Sequence, residues 1–358
     1  MRRSRDERKW YGVARGIGAM LLLGGTLPIN GVAQSSVPPL PPPVRSAGAP
    51  QTQVLVISGV GGEKRFSDAY RAWSLAFASA AVARFGVPDS MVTVLAEDST
   101  RDPARVRGRS TRDNIVRELA RIGGRARAGD RVVVLLIGHG SMQDTASRFN
   151  IPGPDISADD FRIALAPLRG VSILFVNTSS ASGDFVKTLS APDRIIITAT
   201  KSSREQNETY FPEHFLTAMT SDAGDADKDG RVNILEAFVY ARREVARTFE
   251  QGNRIATEHA LLDDDGDGTG HADASEKGPD GLRARAFFLQ PLGGVALASD
   301  PRAATLLAER RQLELQIDSL RARRSSLSED AYQRALEPLM LSLADKTRAL
   351  RALEVKKP

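Results

Sequence analysis

Of the four histidines in the chain, His139 stands where α/β proteins place their chemistry. It follows Arg131–Gly138 (RVVVLLIG), a continuously apolar, β-branched run that reads as a strand buried on both faces. Ligands in open α/β sheets bind beyond the carboxyl ends of such strands, and Gly138 and Gly140 let the backbone turn tightly around the imidazole. A lone histidine is more often structural; this placement makes His139 a candidate site residue. The next apolar run, Ser172–Asn177, ends in Thr178-Ser179-Ser180-Ala181-Ser182-Gly183. If successive strands are neighbours, a histidine and a serine share one crevice, the pair that nucleophilic attack by a hydroxyl requires. The same hydroxyls could instead cap a helix starting near Gly183, a role that suits Ser182.

A second chemistry is written at Asp225-Ala-Asp227-Lys-Asp229-Gly230-Arg231-Val232-Asn233-Ile-Leu-Glu236. Aspartates at positions one, three and five, glycine at six, a β-branched residue at eight and glutamate at twelve make an EF-hand loop for Ca2+. The Arg231 carbonyl and Asn233, or its water, complete the oxygen set. Helical patterns flank the loop, Pro212–Met219 and Leu235–Thr248. Without a cation the three carboxylates would repel one another; the alternative is a solvated acidic turn. A weaker loop, Asp263-Asp264-Asp265-Gly266-Asp267-Gly268, offers Asp263, Asp265 and Asp267 but has Ala274 at its twelfth position. It reads equally well as a partial ion site or a turn.

Around these residues the chain alternates short β-branched runs with helical patterns, the signature of a parallel sheet covered by helices. The expected strands are Gln53–Gly59, Met91–Ala96, Arg131–Gly138, Ser172–Asn177 and Arg194–Ala199. Helices are expected over Ser67–Phe85, from Ser110 with Asp113 as an approximate capping box, and over Ala158 to Leu168. Gly59-Val60-Gly61-Gly62, after the first strand, fails both nucleotide fingerprints: Lys64 stands where the third glycine belongs, and no G-K-[ST] follows at the P-loop spacing.

An apolar strand followed by His-Gly, about forty residues, then a second apolar strand and a small-x-x-Ser-Gly turn resembles the legumain-type cysteine peptidases of the caspase-like clan. The resemblance covers Gln53 to Gly270. It implies a caspase-like three-layer α/β/α sandwich with a mostly parallel sheet. It also implies His139 as general base, Ser180 in the place of the nucleophilic cysteine, and the backbone N–H groups of Gly140 and Ser180 as oxyanion hole. Glu208 resembles an acidic position of the family's specificity pocket, though an exposed loop glutamate accounts for it better. The defining cysteine is missing, since the chain has no cysteine at all. A thiolate is within reach at neutral pH, whereas a serine needs a base oriented by a third group. Asp144 and Asp184 are the nearest carboxylates in sequence, and neither placement is compelling. No G-x-S-x-G elbow occurs. Two functions therefore stand: a peptidase homologue with weak or no activity that binds peptide or protein partners, and a serine-type hydrolase using Ser180 and His139.

The net charge of +5 does not mark a nucleic-acid-binding face. Residues 1–33 carry six basic and two acidic side chains, leaving +1 for the remainder. That segment reads as a secretory signal: a basic start, an apolar stretch from Ile17 to Ile29 too short to span a bilayer, and small Gly31 and Ala33 before a cut after Ala33. An uncleaved amphipathic tail is the other reading. A secreted or periplasmic protein with no membrane span after processing is expected, and the absence of cysteine excludes a disulfide scaffold. Residues 34–50 form a proline-rich linker, and the catalytic-type domain runs over 51–298. In 301–358, Leu306, Leu313, Ile317 and Leu320, then Leu336, Leu339, Leu343, Leu350 and Leu353, predict two helices of about five turns broken at Ser325–Ser328. They would fold as an antiparallel hairpin, docked on the core or serving a partner or a second copy.

Overall fold

The computed structural model describes residues 50–291 apart from Thr145, together with 301–322 and 328–354. The segment expected to be a signal, residues 1–33, and all but Pro50 of the proline-rich stretch lie outside the described residues. Among the described residues no helix is long and apolar enough to cross a membrane.

In chain order the elements begin with β1 (Thr52–Ser58), α1 (Lys64–Ala83), β2 (Val92–Ala96), β3 (Val106–Arg109), α2 (Arg112–Arg125) and β4 (Arg131–Ile137). A small antiparallel sheet follows, built from β5 (Gly140–Gln143), β6 (Ala146–Phe149) and β7 (Ile156–Ser157). Next come α3 (Ala158–Leu165), β8 (Ser172–Asn177), α4 (Asp184–Leu189), β9 (Arg194–Thr198), α5 (Phe211–Thr220) and α6 (Ile234–Gln251). The chain continues with β10 (Leu261–Asp263), α7 (Leu282–Ala286), α8 (Pro301–Ala322) and α9 (Glu329–Glu354).

Seven strands form the main sheet in the order β10-β9-β8-β4-β1-β2-β3, parallel except for β10. Alternation along the central strands explains why they are apolar throughout. Val54 and Val56 enter one core with α1, α5 and α6, while Leu55 and Ile57 enter another with α2, α3 and α4. Phe161, Phe175 and Phe185 meet in the second core with ring centroids 5.1–6.1 Å apart. The result is a three-layer α/β/α sandwich with a mostly parallel sheet, consistent with the caspase-like class.

All five anticipated strands form. β3, β10 and the β5–β7 sheet are additions; their short, half-polar stretches carry too little apolar alternation to announce a strand. The helix expected from Ser110 is capped one residue later: the Thr111 hydroxyl accepts the Asn114 N–H, while Ser110 donates to the Ser58 carbonyl. The α3 helix stops at Leu165 and starts on a full Ser157–Asp160 capping box.

The two C-terminal helices are antiparallel. Ala303, Leu306 and Leu307 near the start of α8 pack with Leu350 and Leu353 near the end of α9. Lys346 pairs with Glu309 at 2.6 Å across the same seam. Both helices are longer than five turns, and α9 runs on through Pro338.

Candidate active site

Connectivity reverses at β1, whose neighbours are β2 on one side and β4 on the other. The crevice beyond the carboxyl ends of β1 and β4 is the switch point where such sheets bind ligands. Parallel register fixes what stands there. Leu136 pairs with Asn177, so His139 and Ser180 each lie three residues past the same rung of adjacent strands. Ser58 pairs with Ile137, which brings the Gly59–Gly62 loop to the other flank of His139.

Ser180 is 2% exposed. Its hydroxyl donates to the Gly140 carbonyl at 2.9 Å and accepts the Gly140 N–H at 3.1 Å. The two strand ends are so close that a Cβ on Gly140 would sit 2.0 Å from the Ser180 carbonyl oxygen, so only glycine fits. Gly140 N–H, one of the two expected oxyanion donors, is thus already directed at the serine. The next residue, Ala181, is fully buried with φ at 51°, a left-handed conformation that costs a side-chain-bearing residue about 1 kcal/mol. Its N–H donates to the Glu205 carbonyl at 2.6 Å. Ser182 is not a helix cap: its N–H and hydroxyl both meet the Thr200 hydroxyl, at 2.7 and 3.0 Å. The α4 helix begins at Asp184, with Gly183 at its N-cap and no side-chain cap.

The His139 imidazole bonds to α1 rather than to that serine. Its Nε2 and Nδ1 lie 3.1 and 3.2 Å from the Tyr70 hydroxyl of α1. Phe66 packs edge-on against the ring at 4.6 Å. The Gly61 carbonyl accepts a ring N–H. Gly61 is held in turn by its N–H to Glu97 Oε2 at 3.2 Å, and a Cβ there would strike the Ser67 nitrogen at 2.3 Å. The glycine loop that fits no nucleotide therefore lays a backbone carbonyl against the imidazole. Asp184 accepts a bond from Ser147 at 3.0 Å instead, and Asp144 is exposed. Among the described residues no carboxylate hydrogen-bonds His139, and no hydrogen bond joins it to Ser180.

Burial pushes His139 below its ordinary 6.5, opposed by the Glu208 carboxylate and the Gly61 bond. Burial, and then Glu208, pushes the Tyr70 phenol up, so it remains a donor. Glu208 sits in the loop after β9, anchored where Thr209 donates to the Thr178 carbonyl at 2.8 Å.

The first acidic loop lies between α5 and α6. Carboxylate oxygens of Asp225, Asp227 and Asp229 converge within 4.8 Å. Asp225 accepts N–H bonds from Asp229 and Gly230, and Glu236 Oε1 accepts those of Ala226 and Asp227. Lys228 and Gly230 take positive φ, as the sharp turn requires. Burial pushes Glu236 up, a shift that a neighbouring cation would reverse. Asn233 uses its side chain to cap α6, accepting the Glu236 N–H at 2.9 Å. Arg231 stacks on Phe288 at 3.8 Å and reaches Asp229 at 3.1 Å. In the second loop the converging oxygens belong to Asp263, Asp265 and Asp280, not Asp267. Asp280 closes that group from seventeen residues beyond Asp263, outside any EF-hand spacing, which is why the sequence pattern misses it. Tyr70 and Gly61 are missed for a related reason: a helix face and a main-chain carbonyl carry no motif.

Acidification weakens the fold at His139, because the unfolded chain takes the proton first, between 6.5 and the lower folded value. In an NMR titration of the imidazole protons, His139 is expected to titrate below 6.5, and Glu208→Gln is expected to move it lower still. A rise in Glu208→Gln contradicts the assignment.

The sequence matches no protein-family model and no curated protein. Among solved structures it is similar to one described as "Crystal Structure of drICE", at 15% identity and a TM-score of 0.31, covering 56% of this chain and 85% of that one.

Proposed function

We propose that this chain is an exported, legumain-like peptidase homologue with weak or no hydrolytic activity, whose cleft holds a peptide or protein partner. The observation that carries the reading is the Ser180 hydroxyl seated on both polar groups of Gly140. Attack by serine needs its proton on an imidazole and an open pair of oxyanion donors. Here the proton lies on a backbone carbonyl, and one donor is filled by the serine itself. Freeing the hydroxyl breaks two buried bonds of about 1 kcal/mol each before any substrate gain. A secreted or periplasmic location follows from the signal-like leader.

A fluorophosphonate probe with peptide mapping tests this. No label at Ser180 is expected, while Ser180→Cys is expected to become reactive to a thiol probe in a His139-dependent manner. The neutral His139 and the left-handed Ala181 favour a second reading, a Ser180–His139 hydrolase. Labelling of Ser180 that vanishes in His139→Ala establishes that reading instead.

Calcium in the 225–236 loop is proposed as structural, joining α5 to α6. The convergence of Asp225, Asp227 and Asp229 supports it, with Glu236 at the twelfth position. The group of Asp263, Asp265 and Asp280 is a weaker candidate. At a hundredfold excess over its dissociation constant, an ion adds about 2.7 kcal/mol. Thermal unfolding should show a higher midpoint in calcium than in chelator, and Asp225→Ala should abolish most of the difference; equal midpoints in the parent protein remove the ion.

The C-terminal hairpin is proposed as an assembly surface, supported by Met340 and Leu341, exposed at 44% and 62%. Light scattering should find a higher mass for the parent chain than for Leu341→Glu. A monomer in both removes the assembly role.

A further inference from the structure

Two consecutive residues just before β10, Glu258 and His259, grip the loop between β9 and α5 at both of its ends. At the far end, the Glu258 carboxylate accepts the N–H groups of Tyr210 and Phe211, both at 2.8 Å, where α5 begins. At the near end, His259 Nδ1 lies 2.5 Å from Glu205 Oε1, and the His259 N–H donates to Glu205 Oε2 at 3.2 Å. Glu205 also accepts the Lys201 N–H at 3.0 Å, which closes the loop on itself.

Each gripped end touches the turn that carries Ser180. Beside the His259 contact, the Glu205 carbonyl accepts the N–H of Ala181, the left-handed residue after the serine. Beside the Glu258 contact, Thr209 donates to the Thr178 carbonyl. Glu208 lies between the two grips, close enough to act on His139 and Tyr70. A loop without internal secondary structure holds one shape only if its ends are fixed by bonds of this kind.

We propose that Glu258 and His259 form a clamp that positions the 201–211 loop as the wall of the Ser180 cleft. That the wall faces a peptide rests on the function proposed above; the clamp itself does not.

Glu258 is 5% exposed, a costly position for a carboxylate that only its two N–H donors offset. Burial, together with like charges on Glu205 and Glu208, pushes it up to about 7 against the pull of those N–H groups. Protonation takes one carboxyl oxygen away from its N–H partner, so the far end of the loop slackens as pH falls through that value.

Hydrogen exchange read by mass spectrometry on the full chain tests the clamp, at about pH 6 and about pH 8 after correction for intrinsic rates. In the parent protein, the amides of residues 207–211 should exchange faster at the lower pH. In Glu258→Gln they should exchange about tenfold faster at both values with no pH dependence left, while β4 and β8 stay protected. Glu258→Asp should restore part of the pH dependence. Unchanged loop exchange in Glu258→Gln, or a pH dependence that survives it, overturns the proposal. Should Glu258→Gln lose protection throughout, His259→Ala decides: faster exchange confined to 201–206 supports the clamp, and no change overturns it. The readout needs no substrate, so its outcome is separate from that of labelling at Ser180.

Discussion

Parallel strands a little under 5 Å apart, with Leu136 opposite Asn177, bring two chain ends into contact that neither could reach alone. Ser180 and Gly140 meet there through three polar atoms, and the approach leaves no room for a Cβ on the glycine. Everything else at the cleft is arranged around that contact. The imidazole of His139, one residue earlier, meets Tyr70 of α1 and the loop after β1. Ala181, one residue later, is forced into a left-handed turn whose N–H must find the Glu205 carbonyl. Any side chain at Gly140 would require the strand ends to move apart.

The imidazole's surroundings are those of a base kept neutral without an acid behind it. Its orientation comes from a phenol and a main-chain carbonyl, neither of which stabilises an imidazolium as a carboxylate would. Glu208 is the largest of the charges that act on it, through space from an exposed loop, with Glu63 acting in the same sense and Arg65 against both. A thiol, which ionises closer to neutrality, makes smaller demands on such a base than a hydroxyl does.

The sheet was legible in the sequence because its central strands are buried on both sides and must be apolar at every position, as in Val54–Ile57 and Val132–Ile137. Strand adjacency then placed His139 and Ser180 on one edge, since consecutive strands β4 and β8 pair directly. The state of the two side chains was not legible. Whether a hydroxyl points at an imidazole or at a backbone carbonyl is set by the tertiary packing of Gly140 against the Ser180 turn, which no local pattern encodes. The cluster of Asp225, Asp227 and Asp229 was readable because its members are local in sequence, whereas Asp280 joins Asp263 and Asp265 only through tertiary folding.

The rims of the main sheet are unlike its centre. On one side, β3 turns Arg107 and Arg109 outward, tied to Glu118 and to the Glu97 carbonyl. On the other, β10 offers three residues running against the direction of the rest. Charged, fixed side chains and very short strands both discourage a further strand from joining. Addition of a further strand is therefore disfavoured at either border of the sheet.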